Sequence, residues 1–421
     1  MSRSVFFPGD ILLPRTTDML RWSVIACDQF SAQPDYWEAV EALVGDQPST
    51  RWLMLPEAYL KTVDTEAETK KINATMERYQ QEGIFQCMQN SYIYIERTLP
   101  SGDVRKGLLG LLDLEAYDYS SNTDSMVRPT EGTVESRLPA RVHVREGATL
   151  EMPHIVVFID DAERQVIEPF ASRTAQLQKL YDFDLMLDGG HLAGWRIHAR
   201  QVPELEQALI HLGAPEIMLQ KYGHTGKPVV YAVGDGNHSL ATAKVCWEQL
   251  KKNLTPEQQK THPARYSLVE LVNLHDDAIA FEAIHRAVFE TNPTAFLKEA
   301  QAYWAGVSKA EGEAHEIVCM ADGNQMAIEV KGLTIGQTIA AADAFCEDYI
   351  ATHGGEIDYI HGDDTVVELA AQAGCAGILL PSMDKEELYP SILKSGVFPR
   401  KSFSIGHAQE KRYYLECRAI R

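Results

Sequence analysis

Apolar positions along the chain fall into short runs that alternate with amphipathic segments, which predicts an α/β (mixed α+β) architecture. Residues 37–44 (WEAVEALV) and 64–83 read as helices, the second closed by Gly83. Residues 91–114 alternate, break at Pro100-Ser101-Gly102-Asp103 and resume, so a β-hairpin is expected there. The run HIVVFI (154–159) predicts a strand, SRTAQLQKLYDF (172–183) a helix, AGWRIHARQ (193–201) a strand, and PELEQALIHL (203–212) a helix that Pro203 opens. An apolar stretch at 229–233 then enters the turn GDGNHS (234–239) and passes directly into an Ala-rich helix.

Further on, 266–274 (YSLVELVNL) has the continuous apolar character of a buried strand, and 280–289 is expected to return His285 and Arg286 over the sheet on a helix or loop, as a buried structural pair. Beyond about residue 292 come helical patterns at 296–305 and 334–350, a hairpin turning at Asp322-Gly323-Asn324, and a final strand, helix, strand unit. The expected division is therefore 1–292, an α/β core carrying the GDGNHS turn, and 293–421, a C-terminal α/β region that is able to share the same core. A chain of 421 residues, 45% hydrophobic, exceeds one core of ordinary size and has room for a deep site.

Charge narrows the function classes. With 39 Lys+Arg against 60 Asp+Glu the net charge is −21, which opposes binding to nucleic acid or to an anionic membrane surface. The start lacks the apolar segment of about 7–15 residues of a secretory leader. No apolar run approaches the about 18 residues of a spanning helix. Seven scattered cysteines without a Cys-x-x-Cys pair fit neither a disulfide framework nor a thiolate zinc site, so a reducing cytoplasm is the simplest compartment.

A strand that feeds a helix through Gly234, Asp235, Gly236, Asn237, His238 and Ser239 gathers backbone N–H groups and the positive end of a helix dipole at one point, which favours an anion. Asp235 is placed to hold Mg²⁺ or a hydroxyl, His238 to move a proton, and Ser239 to cap the helix. The alternative is a Gly-Asx turn with a Ser cap and no ligand. Asp28 after an apolar run is a candidate metal ligand or general base, or else an Asx turn; Glu131 is a candidate base, or else a loop cap. Asp188, His191 and His198 match no zinc spacing.

The turn resembles the Asp-Gly-His-His-Arg signature of domain-of-unknown-function family 1015. The likeness extends to residues 22–40 around Asp28, to 52–60, expected as a strand, to VRPTEGTVESR (127–137), to 271–289 and to 395–420. That family is remotely similar to the fold of ParB proteins, sulfiredoxins and free-serine kinases, in which the equivalent turn cradles nucleotide phosphates. The resemblance implies a ParB/sulfiredoxin-like core and a nucleotide, ATP or ADP, with Mg²⁺ at Asp235. Asn237 stands where the signature has His, and Ser239 where it has Arg. Serine lacks the two-pronged grip of a guanidinium on phosphate, so another cation must serve. Arg128, Arg137, Arg141, Arg145 and the pair Arg400-Lys401 are the candidates, against a solvated surface of local ion pairs.

The leading expectation is a cytoplasmic enzyme that uses a nucleotide and Mg²⁺ to phosphorylate a small hydroxylated or carboxylated metabolite. Asp28, Glu131 and His238 would be catalytic, and Gly234, Asp235, Gly236, Asn237, Ser239, Arg128, Arg137 and Lys401 would bind the cofactor. A non-catalytic nucleotide sensor and a metal-dependent hydrolase are the alternatives. The expected partner is a small molecule, with no nucleic acid and no membrane; the sequence leaves the oligomeric state open.

Overall fold

The computed structural model describes residues 4–15, 18–121, 123–152 and 154–421, with the side chain of Arg137 excepted. It is a mixed α/β structure, as the alternating pattern predicts, and it divides into two compact units. The larger comprises 1–129, 133–279 and 407–421; the smaller comprises 130–132 and 280–406. Among the described residues no helix is long and apolar enough to cross a membrane.

The larger unit is built on a ten-stranded sheet. Its main path runs Val127–Pro129, Tyr231–Asp235, Val156–Ile159, Tyr266–Asn273, Val104–Asp113, Phe85–Thr98, His191–His198 and Gln178–Asp184. Alternation along the central strands sends side chains into two cores. Ile93, Ile95, Leu109, Leu111 and Leu268 face one, with Trp22, Trp37 and Tyr79. Tyr92, Tyr94, Leu108, Leu112, Val269 and Leu271 face the other, where Leu240, Ala243 and Trp247 anchor the helix Asn237–Leu250. Both faces are covered, which is why Tyr266–Asn273 reads as a nearly unbroken apolar run.

Three local expectations fail for tertiary reasons. The helix expected over 172–183 is instead a 3-10 run, Glu168–Gln176, followed by the strand Gln178–Asp184. That strand pairs antiparallel with His191–His198, and the pairing together with burial of Tyr181 outweighs helical propensity. Residues 52–60 form no strand: they hold the end of one 3-10 turn, Thr50–Leu53, the irregular stretch 54–56, and a second 3-10 turn, Glu57–Tyr59. His285 and Arg286 lie on neither helix nor loop but on the strand Phe281–Phe289, which pairs with Glu356–His361, Ala376–Leu379 and Phe403–Ile405 in the sheet of the smaller unit. Arg286 is fully buried there: its Nε donates to Asp343 at 2.6 Å and its Nη1 to the Lys401 carbonyl at 2.9 Å.

The last fifteen residues return to the larger unit and are fixed by buried charge. Arg412 donates from Nε to Glu270 at 2.7 Å and from Nη2 to Glu416 at 2.8 Å. Tyr181 donates to the other Glu416 oxygen. Gly107 makes room for Glu270, whose carboxylate would stand 2.4 Å from a Cβ at that position. Arg418 repeats the device on Glu151 at 2.7 Å. Removing one partner of such a cluster leaves uncompensated buried charge, so Arg412→Ala is expected to destabilise the chain by about 3–5 kcal/mol. Urea denaturation of the full chain reads this as a lower midpoint, and joint replacement of Glu270 and Glu416 by Gln should restore part of it.

Candidate active site

The strand Tyr231–Asp235 and the helix Asn237–Leu250 are joined by Gly236 alone. The strand runs two residues beyond its expected end, so Gly234 and Asp235 belong to it, while Asn237, His238 and Ser239 form the first helical turn. Ser239 therefore does not cap the helix. Gly236 holds the cap position with φ +76°, and no side chain accepts from the helix start there. A Cβ at Gly236 would stand 3.0 Å from the Ile155 backbone, and one at Gly234 would fall 2.3 Å from the Phe158 ring. Both glycines have a packing reason, and the helix start carries no side-chain cap.

Asp235 pairs in register with Val156, which places His154, two residues upstream of it, at the same end of the sheet. Asp235 Oδ1 accepts the Gly236 N–H at 2.8 Å and Oδ2 lies 3.4 Å from Lys411 Nζ. Asp28 follows the short strand Val24–Ile25, and its Oδ2 stands 3.4 Å from Nε2 of the buried His154. Gln29 donates to Asp28 Oδ1 at 3.0 Å. The chain of contacts continues: His154 Nδ1 is 2.9 Å from the Tyr414 hydroxyl, and that hydroxyl donates to Cys27 Sγ at 3.2 Å. With the hydroxyl proton directed at sulfur, His154 Nδ1–H is the donor to Tyr414.

Burial disfavours ionised Asp28, but the His154 imidazole, the Gln29 amide and Arg141 outweigh it and hold the carboxyl well below its usual range. Burial likewise opposes a charged His154, but Asp28 and, at longer reach, Asp235 raise it above its ordinary 6.5. Burial and the Asp28 charge push the Cys27 thiol up to about 12, so it stays protonated and is no nucleophile. His238 Nε2 accepts the Val134 N–H at 3.2 Å, which leaves Nδ1 as the nitrogen carrying the proton.

The remaining expected residues are distributed as follows. Arg128 is buried in the strand Val127–Pro129 and donates from Nε to the Ser125 carbonyl at 2.9 Å. The side chain of Arg137 lies outside the described residues. Arg141 pairs with Glu57, and Arg145 with Glu151. Glu131 and Lys401 belong to the smaller unit, where Glu131 accepts the Ser402 N–H at 3.4 Å and Lys401 is exposed. His191 pairs with Asp182 and Asp184, and His198 caps the turn after it. Sequence reasoning missed His154, Tyr414 and Lys411. His154 had one signal, a histidine opening an apolar strand; Lys411 and Tyr414 had none, because their partners are more than 170 residues away.

Three polar atoms near these groups are buried with no hydrogen-bond partner: Asn237 Oδ1 in the first helical turn, Thr133 Oγ1 beside Val134, and Arg141 Nε, whose charge acts on Asp28. A cleft of about 270 Å³ lined by Arg51, Trp52, Lys71, Arg78 and Tyr79 includes none of them. The uncapped helix start, with Lys411 on Asp235, thus lies at the same end of the sheet as the His154 that holds Asp28.

The chain belongs to the family described as "Protein of unknown function (DUF1015)", which matches residues 11–345. No curated protein matches it. Among solved structures it is similar to SbnI with a C-terminal truncation from Staphylococcus aureus, at 10% identity over 73% of this chain and 85% of that one, TM-score 0.36. It is also similar to a conserved hypothetical protein from Pyrococcus furiosus, at 9% identity over 74% and 94%, TM-score 0.33. A free serine kinase in complex with AMP is similar at 9% identity over 72% and 90%, TM-score 0.36.

Two outcomes follow from the site's geometry. Gly236→Ala must hold an L-residue at φ +76° and is expected to cost about 1–2 kcal/mol, read as a lower thermal midpoint. The second concerns pH. His154's contribution to stability is full below 6.5 and is lost as pH rises through its raised folded value; Asp28's is full above 3.8 and is lost as pH falls through its depressed one. Asp28→Asn should therefore destabilise most between these two values. By NMR, the His154 titration midpoint should fall, because its principal anionic partner is gone and only the more distant Asp235 still opposes burial.

Proposed function

We propose that the larger unit binds a nucleotide at the start of the Asn237–Leu250 helix and transfers its terminal phosphoryl group to the hydroxyl of a small metabolite. The observation that carries this reading is the Asp28–His154–Tyr414 relay, whose imidazole also feels Asp235 at the uncapped helix start. The N–H groups of the first helical turn and Asn237 receive phosphate oxygens. Lys411 supplies the cation that Ser239 does not. Asp28, held ionised and aligned by His154, orients the acceptor hydroxyl and takes its proton. The hydroxyl oxygen forms the new bond to phosphorus, the bond to the bridging oxygen breaks, and the nucleoside diphosphate leaves with that electron pair. Phosphoryl transfer of this kind depends mainly on positioning and charge stabilisation, so a strongly basic acceptor is not required. Asp235 is the hard oxygen donor that fits Mg²⁺, which when bound neutralises phosphate charge. Asp28 is favoured as proton acceptor because an imidazole holds it.

The test incubates the full chain with labelled ATP, Mg²⁺ and a panel of small hydroxy acids and amino acids. Acceptor-dependent transfer is expected, falling about 10²–10⁴-fold in Asp28→Asn. Calorimetry should show that this variant still binds nucleotide. Asp235→Ala should lose both transfer and the Mg²⁺ dependence of binding. Binding without transfer to any acceptor would make the protein a nucleotide sensor. Hydrolysis that needs zinc or manganese, needs no nucleotide and is lost in Asp235→Ala would make it a hydrolase.

A further inference from the structure

A second group of side chains lies wholly within the smaller unit. Glu313 immediately precedes the strand Ala314–Ala321, His315 is that strand's second residue, and Glu387 ends the turn Lys385–Glu387. One potential ligand atom from each lies within 4.8 Å of the others. The His315 side chain is 8% exposed; its Nε2 stands 3.2 Å from the Leu333 carbonyl oxygen and 3.8 Å from Glu387 Oε1. The second separation is too long for a hydrogen bond.

Glu387 Oε1 is itself buried and has no hydrogen-bond partner. Its sister oxygen accepts the Asp384 N–H at 2.8 Å, so the carboxylate cannot turn away without opening the capping box between Asp384 and Glu387. A buried acceptor held in place beside an imidazole and a second carboxylate is relieved by a proton or by a cation shared among the three, and only a metal engages all three at once. Metal bonds of about 2.0–2.2 Å set neighbouring ligand atoms about 3–3.5 Å apart; the Leu333 carbonyl already stands at 3.2 Å from His315 Nε2, Glu387 Oε1 at 3.8 Å must draw in by a few tenths of an ångström, and the exposed Glu313 swings in to complete the set. Two carboxylates neutralise one dication, and the imidazole selects a transition metal over magnesium or calcium.

We propose that Glu313, His315 and Glu387, with the Leu333 carbonyl as fourth donor, bind one divalent transition-metal ion of the zinc type. On binding, the His315 proton passes from Nε2 to Nδ1 by exchange with solvent, so the imidazole stays neutral and the Nε2 lone pair becomes the metal bond. Four protein donors close the shell, so the ion is structural and fastens the start of the Ala314–Ala321 strand to the turn that leads into the helix Leu388–Ser395. Glu313, exposed at the rim, gives the ion its way in.

The full chain, stripped with a chelator, is dialysed against Zn²⁺ and separately against Co²⁺ as a spectroscopic probe. Wild type should bind one equivalent that both Glu313→Gln and His315→Ala lack, with a Zn²⁺-dependent rise in thermal midpoint and a visible Co²⁺ absorption that both variants lose. Because Glu313 is exposed, its replacement leaves the fold intact, which circular dichroism verifies. Asp28→Asn and Asp235→Ala should keep this equivalent, so the result stands or falls independently of the phosphoryl-transfer reading. Absence of bound zinc and cobalt in the wild type would overturn the proposal, as would equal uptake by wild type, Glu313→Gln and His315→Ala.

Discussion

The larger unit depends on a cation placed where none is expected, the Arg412 guanidinium in the middle of its core. Two carboxylates, Glu270 from a central strand and Glu416 from the C-terminal segment, meet it there, and Tyr181 satisfies one of the remaining oxygens. Burying such charges is costly in isolation and is offset here by mutual pairing, to which Arg105 adds its Nε 3.9 Å from the second Glu270 oxygen. The cluster therefore admits one placement of the final segment. Glu151 with Arg418 and Arg145 imposes the same condition a few residues later.

That placement builds the candidate site. Lys411 and Tyr414 flank Arg412 and reach Asp235 and His154 because the ion pairs fix the backbone between them. Trp22 reinforces the same segment by donating from its indole to the Leu415 carbonyl at 2.9 Å. The site thus joins three separated stretches: the turn after Val24–Ile25, the strand pair around Val156 and Asp235, and the C-terminal return. Its electrostatics follow from this assembly, since His154 without Asp28 would lose its proton more readily and Asp28 without His154 would hold its proton more firmly.

Local reading succeeded where a segment's own pattern decides its conformation. The helix at 203–212, the strand at 266–274 and the hairpin around Asp322-Gly323-Asn324 form where periodicity and turn residues put them. It failed where a neighbour decides. The segment at 172–183 has helical spacing, yet a strand partner claims half of it. The glycines of the GDGNHS turn were legible as a tight strand-to-helix junction; that Phe158 and Ile155 press on them was not.

The sequence by itself determined the mixed α/β class, the family, the turn between strand and helix, and Asp28 and Asp235 as carboxylates of interest. These are properties of short stretches, in which residue type and spacing carry the signal. Only the tertiary structure decided that His154 stands between Asp28 and Tyr414, that Lys411 is the cation beside Asp235, and that Arg128 is turned into its own loop. Those facts arise from packing two cores on one sheet and from neutralising buried charge across 142 residues between Glu270 and Arg412, and no pattern within a short stretch encodes a contact over that separation.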